Sequence, residues 1–269
     1  MARELELETS KIIGRIDDNG IGWLIFNQPE RHNALSLEMW QGIGDVLEAY
    51  DADPDVRVAV LRGAGGKAFV SGADISEFDC KRSSAAQKEE YGTSAGRANR
   101  WLARFEKPLI ALIEGYCIGG GLATALSADI RIATPDSTFG IPAAKLGLGY
   151  EYDGLAKLAR LIGPARARDI MFSARFMAAD AAYDMGLINQ VFERDDIERE
   201  TIAYAERIAG NAPLTVKAAK AAINAWERGE REEDLRRVHT LVDECFDSED
   251  YKEGRRAFRE KRTPDFRGR

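Results

Sequence analysis

An α/β fold with a helical C-terminal third is what this chain of 269 residues predicts, on three observations. Short apolar runs of strand length alternate with longer amphipathic stretches, the order expected when strands connect through helices. Glycine-rich turns follow several of those runs. From Asp195 onward the apolar residues recur at helical spacing, with Leu214, Ala218, Ala222 and Trp226 expected on one face. The division expected is a layered core over residues 1–195 and a helical region over residues 196–269.

Met1 to Lys11 alternates Glu with Leu and lacks the apolar centre of a signal peptide. Ile12–Ile16 and Ile21–Phe26 read as strands, with hairpin chemistry between them in Asp18-Asn19-Gly20. Asn27-Gln28-Pro29-Glu30 breaks the extended run. Ser36 is a good N-cap for a helix whose stripe is Met39/Trp40, Ile43, Val46/Leu47 and Tyr50, and Pro54 ends it. Val56–Leu61 is nearly continuous in apolar residues, as in a strand buried on both faces. Gly63-Ala64-Gly65-Gly66 then leads to Ser71-Gly72-Ala73-Asp74-Ile75. Residues 81–105 are charged and Ala-rich, a connection followed by a helix ending near Phe105. Leu109–Ile113 is a strand, Gly119-Gly120-Gly121 turns into a helix over Leu122–Ala128, and Ile130–Ala133 is the next strand. Asp153 is the expected N-cap of a helix carrying Leu155, Leu158 and Leu161/Ile162, closed by Gly163-Pro164. Ala165–Phe172 and Asp180–Met185 read as helices and Ile188–Phe192 as a short strand.

Composition narrows the function. Lys and Arg total 38 against 45 for Asp and Glu, a net charge of −7, which argues against nucleic-acid binding. Local positive charge can still hold an anionic substrate. Cys80, Cys117 and Cys245 are too scattered for a disulfide framework and fit a reducing compartment. His32 and His239 are far apart and no Cys/His group has zinc spacing, so no protein metal site is expected. The most apolar stretch, Pro108 to Leu126, contains Glu114 and four glycines and does not read as a membrane span. The expected address is the cytoplasm.

Several motifs fail on count. A P-loop needs Gly where Leu61 stands and Ser or Thr where Ala68 stands; a dinucleotide fingerprint needs Gly where Thr124 stands. No Ser sits in a G-x-S-x-G elbow. What remains is a pair of glycine turns, each following a strand and opening a helix: Ala68 to Ile75, and Glu114 to Gly121. Small residues there let backbone N–H groups approach a ligand, and a helix N-terminus adds unpaired donors. Two such turns side by side would make an oxyanion hole built only of backbone. Tight strand–helix packing explains the same glycines equally well.

These segments resemble the enoyl-CoA hydratase/isomerase (crotonase) family. Phe26-Asn27-Gln28-Pro29-Glu30-Arg31-His32-Asn33-Ala34-Leu35 is similar to its N-terminal signature, and Ile110 to Gly121 followed by Ser127-Ala128-Asp129-Ile130 to its central one. Phe139-Gly140-Ile141-Pro142, Gly186-Leu187-Ile188-Asn189 and the tail Ala257 to Arg262 also fit. The resemblance implies a crotonase-like ββα spiral core with a C-terminal helical region that covers CoA and mediates assembly into homotrimers or dimers of trimers. It implies an acyl-CoA thioester substrate, with coenzyme A entering as part of the substrate and no separate cofactor. It puts two oxyanion donors at the amides of Ala73 and Gly120. Substrate contacts would involve Ala73, Asp74, Ile75 and Ser76, with Arg31 near the nucleotide, Ala143 lining the site and Lys261, from this subunit or a neighbour, pairing with phosphate.

The chain departs from the family at the two positions where its two-carboxylate hydratases carry Glu, which here are Ala123 and Ala143. Water addition by two glutamates is therefore unavailable in its usual form. Glu151 matches a position that carries the catalytic carboxylate in some relatives, and Tyr150 matches a Tyr of the family's malonyl-type decarboxylases. Three readings follow. In a hydratase or isomerase, Glu151 is the single acid/base over a low-polarity floor of Ala123 and Ala143. In a decarboxylase, loss of CO₂ yields the enolate without a base and Tyr150 orients the leaving group. A non-catalytic homologue would bind acyl-CoA without turnover. The first ranks highest.

Overall fold

The computed structural model describes residues 2–74, 76 and 85–269, without the side chains of residues 85–91. The strands are β1 (Arg3–Glu4), β2 (Ile12–Ile16), β3 (Ile21–Phe26), β4 (Val58–Gly63), β5 (Ala68–Val70), β6 (Leu109–Ile113), β7 (Tyr116–Ile118), β8 (Ile130–Ala133), β9 (Thr138–Gly140), β10 (Met177–Ala178) and β11 (Gln190–Val191). They form a seven-stranded sheet in the order β1-β2-β3-β4-β6-β8-β11 and a four-stranded sheet in the order β10-β9-β7-β5. Strands β3, β4, β6, β8 and β11 run parallel, while β1, β2 and β3 form an antiparallel edge.

The strand pairs explain the spiral. β4 and β5, β6 and β7, and β8 and β9 each send their first member to the large sheet and their second to the small one. The chain thus turns the same corner three times, and helices connect successive turns. At the second corner Gly115 has φ +68, and a side chain on it would meet the Lys67 carbonyl oxygen at 2.1 Å. Only glycine permits that corner.

Residues of the large sheet are buried on both faces. Ile21, Trp23, Val58, Val60, Ile110, Leu112 and Ile132 face one core, while Leu24, Phe26, Ala59, Leu61, Ala111 and Ile113 face the other. That is why the central strands read as nearly unbroken apolar runs. Helix α1 (Leu37–Ala52) covers the second face, together with the helix Ala85–Arg104 and the small sheet. Ser36 caps α1 by accepting the Met39 amide. The helix Ile197–Ala209 closes the first face through Ile197 and Ala205, so the first helix beyond residue 195 is a layer of the core.

Several sequence expectations shift. The strand expected over Val56–Leu61 occupies Val58–Gly63. The Glu/Leu alternation at the N-terminus is a period of two: β1 pairs with β2, and Leu5 and Leu7 pack on the core. The helix Tyr152–Ile162 takes Glu151, not Asp153, as its N-cap, leaving Asp153 in the first turn. On the helix Pro213–Glu227 the buried residues are Ala218 and Ala225, whereas Trp226 is 66% exposed. Steps of four residues drift by about 40° each, so a Leu214-to-Trp226 ladder winds off its starting face.

Candidate functional site

β5 and β7 are parallel neighbours in the small sheet, so their C-terminal ends deliver both glycine turns to one place. Ligands in parallel α/β sheets sit at such carboxyl ends. Beyond β5, Leu35 and Ala73 form a parallel bridge: the Leu35 amide donates to the Gly72 carbonyl at 2.8 Å, and the Asp74 amide donates to the Leu35 carbonyl at 2.9 Å. In a parallel bridge the in-register residue uses neither of its own backbone groups, so the Ala73 N–H faces away from Leu35. Beyond β7, Gly119 has φ +55 and donates to the Gly140 carbonyl, and Gly120 is the first residue of the helix Gly120–Ala125. Its N–H is one of the donors that helix geometry leaves open.

Among the described residues, neither the Ala73 nor the Gly120 N–H donates to another group of the chain. A side chain on Gly120 would lie 3.7 Å from the Ala73 nitrogen, so the two turns touch. Both residues are partly open to solvent. The next glycine serves a different end: a side chain on Gly121 would meet the Val70 carbonyl oxygen at 2.1 Å. The twin turns therefore combine open donors with close strand–helix packing.

The other candidate residues divide. Tyr150 is half-buried against the core, its hydroxyl 3.8 Å from the side-chain position of Gly119 and without a partner among the described residues. Burial pushes its phenol above the ordinary tyrosine range. Ala143 is buried in the 3₁₀ helix Pro142–Leu146, and Ala123 is half-buried one turn into its helix. Glu151 is solvent-exposed, and its side chain makes no cap hydrogen bond. The low-polarity surroundings expected for it are absent from this conformation. Lys261 is exposed at the C-cap of the helix Glu249–Glu260, and its ammonium has no partner among the described residues. Ile75 lies outside the described residues.

Asp74 and Arg31 are engaged with each other. The Asp74 carboxylate accepts the Arg31 guanidinium at 2.9 Å, the Ser76 amide at 3.0 Å and the Ser76 hydroxyl at 2.6 Å. Burial pushes the Asp74 carboxyl up, and the Ser76 and Arg31 hydrogen bonds outweigh it, holding the group below the ordinary carboxylate range. A depressed folded value stabilises the fold at every pH above the unfolded value of about 3.9 and loses that contribution as pH falls through the folded one. The Arg31–Asp74 pair is therefore expected to persist at neutral and mildly acidic pH. A carboxyl NMR titration of Asp74 should find its midpoint below about pH 3.9, and a midpoint above that value would contradict this assignment.

One support went unread in the sequence. Asn33 is fully buried at φ +56; its Oδ1 accepts the Gln28 amide, and its Nδ2 donates to the carbonyls of Ala64 and Ala68. It ties the segment carrying Arg31 and Leu35 to the start of β5. The only sequence signal for it is the tolerance of Asn for left-handed backbone, which is too common to single it out.

Among the described residues no helix is long and apolar enough to cross a membrane, and no group of three His, Cys, Asp or Glu is placed to hold a metal ion. The fold and the paired turns define a class: an α/β protein that presents open backbone donors at the ends of parallel strands. The chain matches the model of the Enoyl-CoA hydratase/isomerase family over residues 17–269 and belongs to that family. It is 36% identical over 236 residues to a short-chain-enoyl-CoA hydratase of Clostridium acetobutylicum, covering 88% of this chain and 90% of that one. It is 34% identical over 254 residues to an (E)-benzylidenesuccinyl-CoA hydratase of Thauera aromatica, covering 93% and 96%. Among solved structures, an enoyl-CoA hydratase/carnithine racemase from Magnetospirillum magneticum superposes with a TM-score of 0.89 at 38% identity, covering 97% of each chain.

Proposed function

We propose that the protein binds an acyl-CoA thioester and stabilises the enolate that forms on it, with the thioester oxygen held between the amides of Ala73 and Gly120. The observation that carries this reading is the pair of adjacent N–H groups that no acceptor of the described chain occupies. Each preorganised donor of this kind contributes about 3–4 kcal/mol to a developing oxyanion. The relatives named as enoyl-CoA hydratases support the substrate class. Arg31 and Lys261, the latter from this subunit or a neighbour, supply positive charge for the nucleotide end. Exposed apolar side chains on the C-terminal helices, Ile223, Trp226, Phe246 and Phe258, support assembly into a homotrimer or a dimer of trimers.

Within that class the reaction is of the hydratase/isomerase type, with Glu151 as the acid/base. That role requires the segment 147–151 to turn the exposed carboxylate inward when substrate binds. A second reading, decarboxylation of a malonyl-type thioester, is favoured by two observations. The Tyr150 hydroxyl lies beside Gly119, and Glu151 faces solvent, so its carboxylate does not repel the departing CO₂. Loss of CO₂ leaves its electron pair on the α carbon as the enolate, which needs no base. The test is turnover of crotonyl-CoA, a 3-enoyl-CoA and methylmalonyl-CoA by wild type, Glu151→Gln and Tyr150→Phe. Hydration or isomerisation lost about 100-fold in Glu151→Gln is the expected result for a general acid/base. Release of CO₂ that survives Glu151→Gln and falls in Tyr150→Phe selects the second reading. Binding of all three esters without turnover would leave a non-catalytic acyl-CoA binder.

A further inference from the structure

Resting on the thioester reading above, we infer that Asp74 is a positioning residue: its carboxylate clamps the turn that aims the Ala73 amide, and it does not touch the substrate itself. The peptide that joins Gly72 to Ala73 is planar, so its carbonyl and its N–H point in opposite directions. The Leu35 amide grips that carbonyl at 2.8 Å and thereby sets the direction of the Ala73 N–H. Gly72, at φ +120, offers little steric resistance to rotation of the same peptide. Hydrogen bonds around the Leu35–Ala73 bridge, rather than side-chain bulk, must hold the donor on target.

Asp74 supplies those bonds on both sides of the bridge. Its Oδ1 accepts the Ser76 amide and hydroxyl, which ties Ser76 to the residue that follows Ala73. Its Oδ2 accepts Arg31, four residues before Leu35 on the opposite side of the bridge. Arg31 also donates to the Ser76 hydroxyl at 2.6 Å, closing a three-residue ring. The Asp74 side chain is only 8% exposed and its oxygens are engaged within the protein. A substrate group has no open face of this carboxylate to meet. Asn at this position could still accept from Ser76, but its NH₂ would point a donor at the Arg31 donor, and the link across the bridge would open.

The experiment compares wild type and Asp74→Asn in the full-length protein. It measures kcat, KM and the infrared stretch of an isotope-labelled thioester carbonyl in bound acetyl-CoA. Polarisation by the amide pair should lower that stretch in wild type. In Asp74→Asn the lowering should shrink and kcat should fall about 10-fold, a fraction of what a whole oxyanion donor carries, with KM changed less than about threefold. An equal carbonyl shift in the two proteins, or a change confined to KM, would overturn the positioning role. No carbonyl shift in wild type would instead remove the thioester reading on which it rests. Should Asp74→Asn not fold, Ser76→Ala carries the same test. Ser76 is exposed, and loss of its hydroxyl should move kcat and the carbonyl stretch in the same direction by a smaller amount.

Discussion

Gly120→Pro is expected to fold normally and to lose about 100- to 1,000-fold in kcat, the effect of removing one oxyanion donor. Proline is well tolerated at the first position of a helix, where its missing N–H would have had no helical partner. Gly120 occupies that position, and the nearest group to a side chain there is 3.7 Å away. The preceding Gly119, at φ +55 and ψ −116, is outside the right-handed α region that a following proline excludes. The substitution thus removes the donor and sets the proline Cδ in its place, so the oxygen it would have held loses its hydrogen bond and part of its room. Unchanged kcat in a protein with wild-type circular dichroism and melting would take Gly120 out of the chemistry.

Gly121→Ala should do the reverse, damaging the fold at a buried position while leaving the Gly120 N–H in the chain. The added methyl would lie 2.1 Å from the Val70 carbonyl oxygen and 2.8 Å from the Val70 Cβ. Both belong to β5, whose end carries the turn to Ala73, so the strand cannot yield without moving the site. Overpacking against backbone of this severity is expected to cost about 3 kcal/mol or more. For a chain of this size that corresponds to a fall in melting temperature of roughly 6–12 °C, read by thermal unfolding without substrate. A fall of less than about 2 °C would mean that strand and helix separate freely, and that the close approach is not what requires glycine there. The neighbouring residues thus separate the two explanations that the glycine triplet admits: Gly120 keeps an amide open, and Gly121 lets two backbones touch.

Much of the fold was legible because its causes are local. Ser36 caps α1, Asp18-Asn19-Gly20 separates two paired strands, and the apolar runs became strands buried on both faces. Boundaries moved by a few residues where hydrogen bonding, not composition, set the end, as at Val58–Gly63. The β1 edge was missed because two residues of pairing leave too short a pattern to separate from a polar terminus. Trp226 shares the predicted apolar face of its helix yet is exposed, because such a stripe does not say whether a partner within the chain exists to cover it.

The site was legible in its residue types and not in its arrangement. Sequence alone determined the order of elements, the twin glycine turns and the absence of carboxylates at Ala123 and Ala143, since these depend on residues adjacent along the chain. Tertiary structure decided that the turns carrying Ala73 and Gly120 touch, because that rests on the pairing of β5 with β7 and on the bridge to Leu35, contacts between segments far apart in the chain. It also decided that Glu151 faces water while Tyr150 faces Gly119. Two neighbours at the start of a helix can point in opposite directions, and only the packing around them chooses which one faces the site.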